Sequence, residues 1–362
     1  MKKFIEPIRD FYGRFERPIS SISLVAGFVF DAVTLRRVDE FWENLWTIGH
    51  LAIVATFIAL IHIHEKKPGS EHDPSQAHFW YVNILQFFFG GILSTYLVFY
   101  FRSADIFVAW PFMLVLAIAF ILNESLKKHY VRLSFQISLF FLSVYSFAIF
   151  LVPVILHRIG TMIFLLSGLL SLLFITAFIS FLFYFIKDRF SESRTLIISL
   201  ILGIFAVVNI LYITNLIPPI PLSLKDGGIY HSVQKEGGSY LVTEEDHNWQ
   251  SYFNLYQNFT EVSGTPVYAF SAIFSPTGLN TTLLHEWQAY DESTRSWKTV
   301  STIHLPVIGG RDNGFRTYSI KSDLAPGKWR VNIKTEDGLT VGRLRFNIIR
   351  SSTLPLLTLV VK

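Results

Sequence analysis

Seven apolar stretches fill most of the first two thirds of this 362-residue chain, each close to the roughly twenty residues that a helix needs to cross a bilayer. The chain is 51% hydrophobic and only 16% charged. A water-soluble globular protein of this composition would expose large apolar patches, so the sequence predicts an all-α helical bundle embedded in a membrane. The seven predicted spans are 19–35, 42–63, 79–101, 104–123, 131–155, 160–186 and 195–217.

Lysine and arginine are divided unequally between the two sides of the predicted bundle. Because these residues accumulate in cytoplasmic loops, the side that holds more of them is predicted to face the cytoplasm. The richer side carries Lys2, Lys3, Arg9, Arg14, Arg17, Lys66, Lys67, Lys127, Lys128, Arg132, Lys187, Arg189 and Arg194, and the poorer side carries Arg36, Arg37, Arg102, Arg158 and Lys225. The N-terminus is therefore predicted to be cytoplasmic and, after seven crossings, the C-terminal region extracytoplasmic. Basic residues placed at helix ends do not indicate a nucleic-acid partner.

Pro218, Pro219 and Pro221 end the last apolar stretch, because proline cannot continue a helix. Beyond them the apolar residues alternate over short segments that are separated by turn sequences such as SPTG, APGK and EDG. This pattern predicts a small all-β sandwich of the immunoglobulin-like type. The predicted strands are 239–243, 265–274, 281–290, 296–305, 314–322, 327–335 and 340–349.

The last two of these strands form the clearest predicted pair, a hairpin turned at Asp337 and Gly338. Their apolar residues, such as Val331 and Leu344, recur at every second position. Period two predicts strands with one buried face. The opposite face is predicted to carry Arg330, Asn332, Arg343, Arg345 and Asn347.

These patterns divide the chain into five parts. The apolar C-terminal tail is too short to span a bilayer, so we expect it either to dock on the β domain or to lie at the membrane interface. In chain order the predicted parts are a cytoplasmic segment at 1–18, the transmembrane domain at 19–217, a Pro/Gly-rich linker at 218–238, the extracytoplasmic β-sandwich at 239–350 and the tail at 351–362.

The C-terminal strands also carry a fairly specific residue pattern: His-x-Trp on one strand, a strand with Arg-Thr-x-Ser-x-Lys, then Gly-x-Trp-Arg-Val, a Gly turn and a closing Phe. These positions are His285, Trp287, Arg316, Thr317, Ser319, Lys321, Gly327, Trp329, Arg330, Val331, Gly338 and Phe346. The pattern resembles the bacterial domain of unknown function family 2914. The earlier segments GFVFDAVTLRRVDEFWENL, QFFFGGILS and IPPIPLSLKDGGIYH resemble multi-pass members of that family. The resemblance implies a bacterial envelope protein and supplies no substrate, reaction or cofactor.

Asp31 and His50 are the candidate intramembrane polar residues, since each lies within a predicted apolar span. An unpaired charge at the bilayer centre costs at least about 2.5 to 3.5 kcal/mol, so such a side chain needs a partner or water. One interpretation is a proton or cation site. The alternative, which we favour for Asp31, is an interfacial charge paired with a loop cation such as Arg36 or Arg37.

Other polar features of the predicted bundle point to packing or to solvated loops. Gly90, Gly91 and Ser94 form a small-residue face that permits close helix packing or a homo-oligomer. The loop after the second span is rich in His and acidic residues, but the spacing matches no tetrahedral metal site, so we predict a solvated loop and no metal. The loop residues are His62, His64, Glu65, Glu71, His72, Asp73 and His78. The chain has no cysteine, which excludes thiolate ligands and nucleophiles.

Six residues of the predicted β domain are candidates for ligand binding. Aromatic side chains beside cations suit an acidic or sugar-containing ligand. The six are His285, Trp287, Arg316, Ser319, Lys321 and Trp329. A hydrolase is the less favoured interpretation, because no Gly-x-Ser-x-Gly elbow is present and a partly buried His beside a Trp is more often a core residue.

Three functional hypotheses follow. We favour a non-enzymatic inner-membrane protein that presents its β domain to an envelope protein or glycan, with no cofactor and with the lipid bilayer as the other partner. The second hypothesis is a transporter in which Asp31 and His50 line a polar route, although no inverted repeat is visible. The third is a membrane-embedded enzyme acting on lipid or envelope precursors, which would require ionisable side chains from several helices in one deep pocket.

Overall fold

The computed structural model of the chain forms two compact units, the second of which takes residues 103–109, 153–161 and 218–362. The first unit contains most of the helical residues, and the second contains all of the strands of the described residues together with short helix ends. The break between helices and strands at Pro218 agrees with the helix-ending prolines of the sequence. The structure describes residues 26, 28–35, 39–64, 75–103, 106–125, 132–245, 255–262 and 264–362.

The helical unit contains seven helices in the described residues if the last and longest is counted as two. Ile186 has non-helical backbone angles (φ −130°, ψ 42°) and divides that helix into two arms. In chain order the helices are α1 at 28–34, α2 Phe41–His64, α3 Ser75–Ser103, α4 Ile106–Ser125, α5 Leu133–Leu156 and α6 Thr161–Ile213.

Five of these helices are long and apolar enough to cross a membrane. They are Phe41–Ile63, Trp80–Phe101, Leu133–Leu156, Thr161–Lys187 and Ser193–Ile213. The apolar part of α4 is shorter, at Trp110–Ile121. Most of the first predicted span, 19–35, lies outside the described residues. Seven helices therefore agree with the predicted number, but only five have the length and composition of spans.

The aromatic side chains of α3 and α5 form much of the interior of the helical unit. Tyr96 donates a hydrogen bond to the Ser143 carbonyl at 2.8 Å, and the Tyr100 ring packs between Phe112 and Phe150. In the apolar stretches of α3 and α5, 67% and 61% of the residues are buried. In those of the two α6 arms, only 28% and 22% are buried. The α6 arms therefore present most of their apolar surface outward.

Eleven strands in the described residues make up the second unit. They form three sheets with the strand orders β4-β10-β9-β6-β7, β1-β5-β8 and β11-β3-β2, which we call the five-stranded sheet, the middle sheet and the small sheet. The strands are β1 Ser223–Tyr230, β2 Ser232–Glu236, β3 Ser239–Glu245, β4 Gln257–Val262, β5 Val267–Phe274, β6 Thr281–Asp291, β7 Ser296–Val307, β8 Phe315–Lys321, β9 Gly327–Thr335, β10 Thr340–Ser351 and β11 Leu357–Val361.

The three sheets stack as layers with the middle sheet between the other two. Its strand β5 is buried on both faces, as its continuous apolar sequence VYAFSAIF requires. Ala269 and Ile273 pack with Val331 and Phe346 in the core shared with the five-stranded sheet. Phe270 packs with residues of the small sheet in a second core that also contains Tyr230, Val233 and Val242.

The hairpin of β9 and β10 has the predicted pairing. Phe346 lies opposite Trp329 and Leu344 lies opposite Val331. Gly338 has a positive φ of 84°, which a glycine adopts without strain in the turn. The alternation therefore predicted the two strands, and the predicted turn at Asp337 and Gly338 joins them.

The β region differs in detail from its predicted parts. The linker 218–238 contains β1 and β2. The tail 351–362 contains β11, which pairs with β3, so the tail docks on the domain, one of the two positions expected for it. The architecture has three sheets where a two-sheet immunoglobulin-like sandwich was predicted, because the missed strands β2 and β11 complete the small sheet. β1 and β11 pair with strands far away in the chain, which sequence periodicity does not record, and β2 is a strand of five residues, too short for a clear period.

Candidate functional site

His285 and Trp287 lie on β6 and point into the core between the five-stranded and middle sheets. Two residues apart on a strand, they share one face. Ser271 on β5 and Ser319 on β8 face them from the middle sheet. These four residues, which we call the histidine cluster, therefore join two sheets across the core.

One tautomer of His285 satisfies three members of the histidine cluster at once. Trp287 Nε1 donates to Ser319 Oγ at 3.0 Å, and in this tautomer Ser319 donates its own proton to His285 Nδ1 at 2.9 Å. With Nδ1 accepting, Nε2 carries the ring proton and donates to Ser271 Oγ at 2.9 Å. This assignment satisfies the indole, the imidazole and the Ser319 hydroxyl together.

Burial keeps this imidazole neutral. His285, Trp287 and Ser271 are fully buried, and Ser319 is 3% exposed. Burial lowers the pKa of His285 to about 4, because the charged ring would lose its hydration. A Ser–His contact of 2.9 Å resembles a nucleophile with its base, but a substrate could not reach these atoms without opening the core. The arrangement favours a structural role for the cluster.

The other three predicted binding residues lie apart from the histidine cluster. Trp329 is buried in the same core, and its Nε1 donates to the Ala325 carbonyl at 2.7 Å. Arg316 donates to the Gly238 carbonyl at 3.1 Å. Lys321 ends β8 and is half-buried. The structure therefore brings together three of the six predicted residues, and it places them inside the domain rather than on a surface.

The opposite face of the five-stranded sheet is strongly basic, and its role was not predicted. Since Val331 and Leu344 point into the core, the residues that alternate with them point away from it. In the register of β6, β9 and β10, Arg345 lies opposite Arg330, and Arg343 lies opposite Asn332. We call this surface the basic face, and its members are Glu286, Gln288, Tyr290, Trp297, Lys328, Arg330, Asn332, Lys334, Arg343 and Arg345.

Amide side chains hold the guanidinium groups of the basic face in place. Arg330 Nε donates to Gln288 Oε1 and Arg343 Nε donates to Asn332 Oδ1, each at 2.6 Å. Asn332 Nδ2 in turn donates to Gln288 Oε1 at 3.0 Å. Gln288 and Asn332 are buried beneath the longer side chains. The result is a pre-organised set of cations on a rigid sheet.

Glu286 is the acidic member of the basic face, and its charge is already paired. Lys334 Nζ lies 2.6 Å from Glu286 Oε2, and Asn332 Nδ2 donates to the same oxygen at 2.9 Å. Burial alone would raise the pKa of Glu286, but these bonds more than offset it and hold the pKa below its usual value. The carboxylate therefore stays ionised and is paired with Lys334.

The positive charges of Arg343 and Arg345 lie near that of Arg330 on the basic face. Burial, and after it the neighbouring charge of Arg343, lower the pKa of Arg330 to about 10, and Arg345 acts in the same direction. Like charges directly opposite on paired strands destabilise a sheet. A surface that keeps this repulsion is a candidate for binding an anion.

Two aromatic rings border the basic face and contact its cations. The Arg330 guanidinium lies 4.2 Å from the centre of the Trp297 ring, and Lys328 Nζ lies 5.6 Å from that of Tyr290. The two rings are 5.1 Å apart. These cation–π contacts fix both cations at one end of the face.

In the helical unit, the structure brings the two predicted intramembrane residues together. Asp31 lies near Ser94, without the geometry of a hydrogen bond, and near His50. His50 Nδ1 donates to the Trp46 carbonyl at 2.9 Å, and its ring packs against Trp46 and Phe88. A polar route through these residues stays a prediction.

The predicted small-residue face is partly used within the chain. A Cβ on Gly91 would lie 3.3 Å from the His50 ring, so glycine allows this close approach. Ser94 is 3% exposed. Gly91 and Ser94 thus pack inside one molecule, and self-association through this face, with Gly90, stays a prediction.

The histidine-rich loop falls mostly at 65–74, outside the described residues. His62 belongs to α2 instead, where it is buried and its Nε2 lies 3.0 Å from Gln136 Oε1 on α5. Within the described ranges no group of three metal-ligating side chains occurs. His62 therefore joins two helices rather than extending into the loop.

A family model described as protein of unknown function (DUF2914) matches residues 280–348. Residues 280–348 carry this match, and we use the name DUF2914 domain for the β region that contains them. The match runs from β6 into β10, and it includes His285, Trp287 and Ser319 together with the whole basic face. The resemblance read from the C-terminal sequence pattern is thus confirmed for this part of the chain.

Comparisons with curated proteins and with two solved structures identify no relative that shares the fold of this chain. No curated protein matches the sequence. A β-glucosidase from Listeria innocua in complex with isofagomine is 9% identical with a TM-score of 0.18, covers 33% of this chain and is matched over 18% of its own length. The alkylpurine DNA glycosylase AlkC of Pseudomonas fluorescens, bound to DNA, is 10% identical with a TM-score of 0.23 and covers 85% of this chain and 99% of its own. Both TM-scores are too low to indicate a shared fold.

Proposed function

We propose that this chain is a multi-pass protein of the bacterial inner membrane whose DUF2914 domain lies on the extracytoplasmic side and binds an acidic glycan through the basic face. The observation that carries the proposal is the row of cations on the five-stranded sheet, in which Gln288 holds Arg330 and Arg345 lies opposite Arg330. In this proposal the protein is a binder and not an enzyme, since the buried Ser271–His285 pair has no access to substrate.

The five long apolar helices support the membrane part of the proposal. The two arms of α6 keep Leu and Phe side chains outward, including Leu173, Phe174 and Leu202, each at least 50% exposed. Such side chains are stable in contact with lipid and unfavourable in contact with water. The excess of Lys and Arg on the N-terminal side supports a cytoplasmic N-terminus.

Charge and pre-organisation support an acidic ligand. A guanidinium held by Gln288 or Asn332 loses little freedom when it binds a carboxylate or sulfate, so more of the contact energy appears as affinity. A polymer with repeated acidic groups can meet the Arg330 and Arg345 guanidiniums at once. The aromatic rings of Trp297 and Tyr290 suit the apolar faces of sugar rings beside those charges.

Arg330→Gln is expected to weaken binding of dextran sulfate to the full-length protein in nanodiscs by about tenfold, because a charge-assisted hydrogen bond contributes roughly 1.5 to 3 kcal/mol. Affinity should fall with added salt, which screens the charges. Microscale thermophoresis with fluorescent dextran sulfate would measure both effects, with neutral dextran of equal length as the comparison polymer.

Lys235→Gln is the matched control for this experiment. Lys235 is exposed on β2 of the small sheet, so its loss changes the net charge equally without touching the basic face. Its affinity for dextran sulfate should stay within about twofold of the unsubstituted protein. Equal weakening by the two variants, or equal binding of neutral dextran, would refute the assignment of the basic face.

Cysteines introduced one at a time would test the orientation of the chain in the membrane. The chain itself contains no cysteine, so only the introduced one can be labelled. Ser293 lies in the exposed turn between β6 and β7, and Ser191 lies between the two apolar arms of α6. Each would be replaced by cysteine in a separate variant. In spheroplasts, a membrane-impermeant maleimide is expected to label Ser293→Cys at once and Ser191→Cys only after permeabilisation. The reverse order would place the DUF2914 domain in the cytoplasm and overturn the orientation.

A further inference from the structure

A pocket of about 450 Å³ opens beside the break in α6. Both arms of the helix contribute to it, and its wall combines cations, hydroxyls and apolar side chains. The lining residues are Ile179, Ser180, Phe183, Lys187, Phe190, Ser191 and Arg194. The pocket thus belongs to the helical unit and is separate from the basic face.

Lys187 and Arg194 give the pocket its positive charge. No acidic side chain of the described residues lies within 4.0 Å of Lys187 or Arg194. The two residues are exposed and lie on the same side of the break. Two cations that line one concave surface attract an anion.

The apolar part of the pocket continues onto the surface of an apolar helix arm. Ile179 and Phe183 belong to the stretch Thr161–Lys187, and Arg194 begins the next apolar stretch, Ser193–Ile213. The cations therefore occur where two apolar stretches meet, which is the place of the lipid headgroups if both arms cross the bilayer. A ligand that fits is negatively charged at one end and apolar at the other.

We propose that this pocket binds the phosphate group of an anionic phospholipid, with Lys187 and Arg194 on the phosphate, Ser180 and Ser191 as hydroxyl donors, and the acyl chain along Ile179 and Phe183. The inference rests on the membrane part of the proposed function and not on glycan binding. Basic pockets at the cytoplasmic ends of helices bind anionic headgroups by the same combination of charge and apolar contact.

Native mass spectrometry of the full-length protein in detergent tests this site with dioleoylphosphatidylglycerol and dioleoylphosphatidylcholine. We expect the Lys187→Gln/Arg194→Gln variant to retain phosphatidylglycerol about tenfold more weakly than the unsubstituted protein, with no change for phosphatidylcholine. The charge-preserving Lys187→Arg/Arg194→Lys variant should retain it normally, which separates loss of charge from loss of fold. Unchanged retention by the first variant would overturn the site.

Two further arms complete the experiment. Arg158→Gln/Lys225→Gln removes two exposed cations elsewhere and should leave phosphatidylglycerol binding unchanged; an equal loss would mean nonspecific attraction. Inorganic phosphate at 10-fold excess over lipid should not displace phosphatidylglycerol, and displacement would indicate a site for free phosphate instead. A protein that does not span the membrane would be extracted from membranes by alkaline carbonate. That result would contradict the membrane part of the proposed function and is distinguishable from loss of lipid binding.

Discussion

Acidification from pH 7 to pH 4 is expected to lower the free energy of unfolding of the DUF2914 domain by about 3 kcal/mol through His285 alone. Burial lowers its folded pKa to about 4, from an ordinary value near 6.5. The unfolded chain therefore binds a proton at a higher pH than the folded domain. The stabilisation is complete above pH 6.5 and is lost as the pH falls toward 4.

The range from pH 7 to pH 5 isolates this effect from the carboxylates, whose protonation destabilises the domain at lower pH. About 2 kcal/mol should be lost there, which corresponds to about thirtyfold faster amide exchange in β5 and β6 after correction for the intrinsic rate. Hydrogen exchange with mass spectrometry measures this in the full-length protein. The His285→Gln variant should show a flat profile over the same range, and an equal slope in both proteins would contradict the prediction. An NMR titration of the His285 ring provides a second test if that variant is too unstable.

Ser319→Ala is expected to destabilise the domain by about 3 kcal/mol, and Ser271→Ala by about half as much. Ser319 bonds both Trp287 Nε1 and His285 Nδ1, so its loss leaves two buried groups without partners. Ser271 bonds only His285 Nε2 within the cluster. An unpaired buried polar group costs about 1 to 3 kcal/mol, so the number of lost bonds sets the order of the two variants.

Thermal unfolding and amide exchange of the two variants would measure this order, with Ser352→Ala as the control. Ser352 is exposed in the turn after β10, and its replacement should change stability by less than about 0.5 kcal/mol. Equal stability of Ser319→Ala and the unsubstituted protein would mean that the histidine cluster is not a structural link between the sheets. A ligand-binding role for His285 would then regain support.

The two assignments in the DUF2914 domain complement each other. The histidine cluster connects the five-stranded sheet to the middle sheet, so the sheet that bears Arg330 and Arg345 has a fixed partner behind it. A rigid sheet holds its cations in one arrangement, which favours selective binding over loose attraction. Loss of the cluster should therefore weaken ligand binding indirectly, whereas loss of Arg330 weakens it directly.

The candidate site could be predicted only in part. The sequence singled out His285, Trp287 and Ser319 together, and the structure joins them, but it places them in the core. The signal for the basic face was present in the alternation of Arg330, Arg343 and Arg345 along the hairpin. What was missing was the register of β6 beside β9, which adds Gln288 and Glu286 to the same surface.

Patterns among neighbouring residues of the sequence were enough to predict the apolar helices, the end of the last helix at Pro218 and most of the longer strands. These features depend on the length of an apolar run, on the backbone of proline and on the period of neighbouring residues, all of which the sequence records directly. The tertiary structure decided the three-sheet order, the strands β1, β4 and β11, and which polar residues lie in the core. Those features depend on contacts between residues far apart in the chain, such as the pairing of Val361 with Leu241 and the bond of His285 to Ser319.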